Sequence, residues 1–207
     1  GFSVANIGDL DGDGVNDIAA GGIEPTLGGA PAAGEIYIMF MNTDGTPKST
    51  VEINSSTANG PTIGDDDLFG ASLANIGDLN GDGVNDIASG TQFDDEGGSN
   101  RGAVHIMFMN ADGSVDSTVE INSSTTNGPT IDDDDRLGSS LANIGDSNGD
   151  GINDLAVGAH NDDEGGSNRG AIHIMYMVGT LPPTTTTTTT TTSSGGGGKN
   201  NCDSNGF

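Results

Sequence analysis

The sequence predicts an all-β protein made of propeller-like blades, and three observations lead there. A nine-residue stretch, Asp78-Leu79-Asn80-Gly81-Asp82-Gly83-Val84-Asn85-Asp86, occurs three times, with copies at Asp9 to Asp17 and Asp146 to Asp154. The interval of about 68 residues is long for a solenoid and suits a four-stranded blade. Between the copies lie strongly apolar segments, Ile106-Met107-Phe108-Met109 and Ile174-Met175-Tyr176-Met177, that do not alternate with polar residues. Both of their faces are therefore expected to be buried. Helix has little support, because Gly, Asn, Asp and Thr interrupt every window long enough to hold one.

Each unit reads in the same order. A small-residue strand (Val4 to Ile7, Ser72 to Ile76, Ser140 to Ile144) enters the Asp-rich loop, and a short strand leaves it (Asp17 to Gly21, Asp86 to Gly90, Asp154 to Gly158). A Gly-rich, acidic connection follows, then the apolar strand: Glu35 to Met41, Ala103 to Met109, Ala171 to Met177. A weaker fourth strand, Thr50 to Asn54 or Thr118 to Asn122, closes the unit, and the third unit is expected to lack one. A blade packed between two others has two dry faces without covering helices, whereas a sandwich buries one face of each sheet. A β-sandwich or β-solenoid with similar turns is the competing architecture.

The repeated loop is predicted to hold a hard cation. Side-chain oxygens fall at positions one, three, five and nine, a glycine (Gly14, Gly83, Gly151) stands at six, and position seven offers its backbone carbonyl. Calcium takes about six to eight oxygens at flexible geometry, and the turn at six needs a residue that tolerates positive φ. The expected ligands are Asp9, Asp11, Asp13, Val15 and Asp17 in the first loop. They are Asp78, Asn80, Asp82, Val84 and Asp86 in the second, and Asp146, Asn148, Asp150, Ile152 and Asp154 in the third. Three Ca2+ sites are expected, the first tightest because it has four carboxylates where the others have three and an Asn. A solvated Asp-Gly turn uses the same residues without metal, but three copies in register favour the ion. An EF-hand is excluded, because its bidentate Glu at position twelve is here Ala20, Ser89 or Val157 and the flanks read as strands.

Composition bounds the partners. Of 207 residues only 31% are hydrophobic, none is Trp and 36 are Gly, so a single deep core is not expected. A net charge of -26 with five basic residues argues against nucleic acid or an anionic membrane surface. The single Cys, Cys202, precludes an internal disulfide. No run is long and apolar enough for a membrane span, and the chain enters in the middle of a repeat, which places any signal upstream.

The stretch Phe69-Gly70-Ala71-Ser72-Leu73-Ala74-Asn75-Ile76-Gly77-Asp78, followed by the loop and then Leu155-Ala156-Val157-Gly158-Ala159 in the third copy, resembles the FG-GAP repeats of integrin α-subunit propellers. The resemblance covers residues 1 to about 178. It departs at Leu137-Gly138, where the family has Phe-Gly, and at Gln92 and His160, where it has Pro. The resemblance implies a seven-bladed propeller, calcium in the loops, and a role in adhesion and ligand recognition. The near identity of repeats two and three suggests a recent duplication in a prokaryotic surface protein.

Remaining features read more plainly. Asp94 to Gly102, repeated at Asp162 to Gly170, is expected to be a solvated hairpin in which Arg offsets the acids, with a second cation site or a protein-ligand epitope as the alternatives, and Asp65 to Asp67 and Asp132 to Asp135 are expected to be interblade loops. His105, His173 and His160 lack a paired nucleophile or a third residue, so neither a catalytic nor a metal role is expected of them. Asn54-Ser55-Ser56 and Asn122-Ser123-Ser124 fit the N-glycosylation pattern. The expected organisation is three repeats over 1-178 (about 1-68, 69-136 and 137-178), a Pro/Thr/Ser/Gly-rich stalk over 179-198, and a further segment over 199-207. The Thr tract of the stalk is extended and β-branched and could add to the open edge of a neighbouring subunit.

The functional expectation is a non-enzymatic, extracellular or cell-surface calcium-binding repeat protein for adhesion, a surface layer or a filament. Expected partners are upstream repeats or other copies of the chain, with cell-surface protein or glycan ligands. The alternative is an accessory or substrate-binding propeller of a secreted hydrolase or lyase.

Overall fold

The computed structural model describes residues 1–22, 32–164, 166–178 and 188–193. These form twelve strands in three antiparallel four-stranded sheets, each a meander in sequence order. The first blade holds β1 (Ser3–Gly8), β2 (Asp17–Gly22), β3 (Glu35–Met41) and β4 (Pro47–Ile53). The second holds β5 (Ser72–Gly77), β6 (Asp86–Thr91), β7 (Ala103–Met109) and β8 (Val115–Ile121). The third holds β9 (Leu137–Gly145), β10 (Asp154–Ala159), β11 (Ala171–Tyr176) and β12 (Thr188–Ser193). No helix among the described residues is long and apolar enough to cross a membrane.

Two apolar layers join the blades face to face. Ile36, Ile38 and Phe40 of β3 meet Leu73, Ile87, Met107 and Met109 of the second blade. On that blade's opposite face, Ala88, Val104 and Ile106 meet Leu155, Val157 and Met175 of the third. Successive residues of β7 thus point into different layers, which is why its sequence does not alternate.

The expectation of two buried faces fails for the outer blades. Met39 on β3 and Ile174 on β11 are only half-buried, although their counterparts Met107 and Ile106 are buried. Each outer sheet has a blade on one side alone. Val4 is 68% exposed on the free face of the first blade and Ile172 51% exposed on that of the third.

Small residues set the seams. Phe69 is fully buried, and its N–H donates to the Ala33 carbonyl at 2.8 Å. Leu137 takes the same place at the next seam, fully buried, with its N–H on the Arg101 carbonyl at 2.8 Å, so the Phe-to-Leu change keeps the plug. Behind each plug the backbones close in: a Cβ on Gly21 would lie 1.9 Å from the Gly70 carbonyl oxygen, and one on Gly90 would lie 2.0 Å from that of Gly138. Ser3 and Ser72 hydroxyls donate to the same two carbonyls at 2.6 and 2.7 Å. The Phe-Gly and later Gly of each repeat are two halves of one interblade contact.

The third unit does not lack a fourth strand. Thr188–Ser193 pairs antiparallel with β11, from Ala171 opposite Ser193 to Tyr176 opposite Thr188. The Thr tract therefore covers the edge of its own blade instead of a neighbour's. An unpaired row of N–H and C=O groups is a strong template, and β-branched Thr suits an extended strand. The rest of the expected stalk, residues 179–187 and 194–198, and the terminal segment with Cys202 lie outside the described residues.

Candidate functional site

The three Asp-rich loops each connect the first two strands of a blade, as expected. The approach is set by Asn-Ile-Gly: the Asn6, Asn75 and Asn143 side chains accept the N–H of Gly8, Gly77 and Gly145 at 2.8 to 2.9 Å. Each Gly there has φ of 70 to 77°, and in all three blades the register shifts at that point. The strand thus ends in a built turn that aims the following Asp into the loop.

Inside the loop the position-one Asp organises the backbone. Asp78 accepts the N–H groups of Gly81, Asp82 and Gly83 at 2.7, 3.0 and 2.8 Å, and Asp146 those of Gly149, Asp150 and Gly151 at 2.6, 3.0 and 2.8 Å. Asp9 accepts from Asp13 and Gly14. Backbone N–H groups hold Asp146 below the usual carboxylate range, that of Gly151 most of all, then those of Gly149, Asp150 and Asn148. Asp13, Asp82 and Asp150 each accept the N–H of position seven at 2.8 to 2.9 Å. Positive φ is needed at position six, with φ of 91 to 93°, and also at position four, where Gly12, Gly81 and Gly149 have φ of 75 to 84°. Sequence reasoning passed over position four, although Gly stands there in every copy.

The position-nine Asp is fully buried in all three loops. Asp86 Oδ2 accepts the Leu79 N–H at 2.8 Å and Oδ1 the Met109 N–H at 3.0 Å, and Asp17 and Asp154 repeat the pattern with Leu10 and Met41 and with Ser147 and Met177. One carboxylate thereby ties the loop's start to the end of the apolar strand. Burial pushes Asp86 up to about 6, against the pull of those two donors and with Asp82 and Asp78 adding repulsion. In the first loop, oxygens of Asp9, Asp11 and Asp17 lie within 4.8 Å of one another. A convergent, charge-crowded oxygen set of this kind suits a divalent cation.

The loops differ in their surroundings. Lys48 Nζ lies 2.5 Å from Asp11 Oδ2 and also pairs with Asp13, which lowers the Asp13 carboxyl. In the second blade the matching register position, one residue past the partner of Met109, is Asp116. The first loop thus has four carboxylates and a lysine that competes for them, a fact its own nine residues do not reveal.

Asn85 and Asn153 at position eight, given no role from sequence, donate to the carbonyls of Ile7 and Ile76 in the preceding blade at 2.9 and 3.1 Å. The loops therefore brace the seams as well as their own turns.

The acidic connections are less solvated than expected. Asp94, Asp162, Asp67 and Asp135 are all buried, and Arg101 pairs with Asp133 across the seam at 2.7 Å rather than with its own hairpin. Each buried Asp caps a tight turn: Asp94 accepts from Glu96, Asp162 from Glu164, Asp67 from Gly64 and Asp135 from Asp132. His173 Nε2 lies 3.3 Å from Asp162 Oδ2. His105, in the same place one blade earlier, is fully buried with neither ring nitrogen hydrogen-bonded, and burial holds its pKa down at about 4. Asn54 and Asn122 have their Nδ2 atoms on Glu52 and Glu120, and Asn122 is buried.

With this geometry described, comparison with known proteins is direct. The FG-GAP repeat family model matches residues 69–107 and 137–175. The chain is similar to two Drosophila melanogaster proteins, Integrin alpha-PS5 (31% identical over 159 residues) and Integrin alpha-PS3 (29% over 153 residues). These alignments take in 77% and 74% of this chain but 15% and 13% of those proteins.

Proposed function

We propose, from the premise that this chain carries FG-GAP repeats like those of integrin α subunits, that it is a calcium-stabilised, non-enzymatic propeller segment working outside the cell in adhesion or surface assembly. The observation that carries the reading is the threefold loop, whose buried position-nine Asp ties each cation site to the apolar strand of its blade. Ca2+ would be held by Asp9, Asp11, Asp13 and Asp17, by Asp78, Asn80, Asp82 and Asp86, and by Asp146, Asn148, Asp150 and Asp154, with the carbonyls of Val15, Val84 and Ile152. The ion supplies positive charge to carboxylates that otherwise repel across a turn. Its role is structural.

The free faces of the first and third blades, with Val4 and Ile172 exposed, fit further blades, from additional repeats or from other copies of the chain. Exposed apolar area of this kind is normally covered in a working protein. Cell-surface protein or glycan ligands suit the acidic loops at the blade ends.

Calorimetric titration of the 207-residue chain with Ca2+, beside melting curves with and without chelator, tests the proposal. Stoichiometric binding and a clear loss of melting temperature on chelation are expected. No binding together with an unchanged melting curve would refute it.

A further inference from the structure

The middle blade contains a second convergence of metal-ligating groups, far from the Asp-rich loops. His105 on β7 stands directly across from Ser89 on β6 and Glu120 on β8. Ser89 is three residues beyond Asp86, so the place is about 10 Å along the strand from the end of the loop. Asp94 arrives from the β6–β7 hairpin, in a turn closed by its own N–H on the Thr91 carbonyl and the Gly102 N–H on its carbonyl, at 3.1 and 3.0 Å. One donor atom each of Asp94, His105 and Glu120 lies within 4.8 Å of the others.

Asp94 uses Oδ1 for the Glu96 N–H, and Glu120 uses Oε1 for Asn122 Nδ2 and also meets the Glu96 carboxyl. His105 has both nitrogens unpartnered at 0% exposure, with Phe69 edge-on at 5.9 Å between ring centroids. A buried imidazole with no hydrogen bond is costly, and here it faces carboxylates that could accept one. No Lys or Arg is paired with Asp94, Glu120 or Glu96 among the described residues, and the basic residue of the hairpin, Arg101, is turned to Asp133.

We infer that Asp94, His105 and Glu120 form a second metal site, for a first-row transition dication of the zinc class rather than for calcium. One imidazole nitrogen and two carboxylate oxygens suit such an ion, whereas calcium takes oxygens alone and more of them. Zinc ligands stand about 2.0–2.2 Å from the metal, so the three groups need only small side-chain shifts to close on it. Solvent or Glu96, whose carboxyl adjoins Glu120, completes the shell. The ion would pin the hairpin turn to β7 and β8 under the Phe69 plug.

The other blades serve as internal controls. In the third, the turn is the same, but His173 faces Asp162 directly and the residue across from it is Thr191, with no carboxylate. In the first, Glu52 is retained but Tyr37 replaces the histidine. Only the second blade brings the full set together among the described residues.

The test is calorimetric titration of Zn2+ into the 207-residue chain saturated with Ca2+, in a Cys202→Ser background that removes the one thiol, with Co2+ absorption as a second readout. One Zn2+ per chain is expected beyond the calcium, with Co2+ giving visible bands of nitrogen and carboxylate ligation. His105→Gln and Glu120→Gln should each weaken binding by about tenfold or more, while His173→Gln leaves it unchanged. Absence of Zn2+ binding, or equal affinity in folded Glu120→Gln, overturns the inference, as does loss of binding in His173→Gln. If His105→Gln fails to fold, Glu120→Gln at the more open edge of the cluster decides alone.

Discussion

The middle blade and the outer blades share one repeat pattern through their first three strands and have different environments. Ile38, Ile106 and Ile174 hold one position in three repeats, as do Met39, Met107 and Met175. The isoleucine is buried in blades one and two, where a following blade covers it, and half-buried in blade three. The methionine is half-buried in blade one and buried in blades two and three, where a preceding blade covers it. Burial in this architecture is thus a property of the neighbour and not of the strand. A repeat carries the residues for both contacts whether or not both neighbours are present.

The largest effect that can sharpen this comparison is a cavity in the covered layer. Ile106→Ala should cost about 2–5 kcal/mol, the range for deleting a buried isoleucine side chain, while Ile174→Ala costs well under half as much. Denaturant melts of calcium-loaded protein measure both, and equal losses would mean that the third blade's outer face is covered after all.

A smaller effect is expected from the seam glycines. A Cβ on Gly90 would meet the Gly138 carbonyl oxygen at 2.0 Å, whereas one on Gly158 meets Ser140 Oγ, the end of a rotatable side chain, at 2.3 Å. Gly90→Ala should destabilise by about 1–3 kcal/mol or more and Gly158→Ala by only a few tenths. If upstream or neighbouring blades were added so that the third blade gained its partner, the two substitutions should converge, which thermal melts of the longer assembly would reveal.

The smallest effect separates the first loop from the second. Removing the ammonium in Lys48→Ala frees Asp11 and Asp13, and first-loop calcium affinity should rise roughly two- to fivefold, as expected for loss of an exposed competing ion pair. The measurement is calcium calorimetry with Asp78→Asn and Asp146→Asn silencing the other loops. A weaker first loop in Lys48→Ala would show that the lysine supports the site instead of competing with it.

Most of the fold was legible because its determinants are local and repeated. Asp and Gly at fixed offsets dictate the loop, since a carboxylate at position one accepts the N–H groups that the following turn exposes. The four-strand meander follows from short runs and turn residues, and all the predicted strands of the first two blades are present with ends shifted by a few residues. Less legible were the groups that act across the chain. Lys48 lies 35 residues from the Asp13 it pairs with, and Asn85 is 78 residues from the carbonyl it holds. The buried Asp67 and Asp94 look in sequence like any solvated acidic loop, because their burial comes from the packing of one blade's connection against another.

The sequence alone determined the loop chemistry, the blade repeat and the glycine pairs, because backbone conformation and short-range hydrogen bonds are decided within a few residues. Tertiary structure alone decided which face of each blade is dry, where the Thr tract finds its partner, and which of two equivalent histidines meets two carboxylates. His105 and His173 occupy the same strand position, but the residues across the ladder differ: Ser89 and Glu120 flank the first, Val157 and Thr191 the second. Cross-strand neighbours are contributed by distant sequence, so their chemistry emerges only once the register is known.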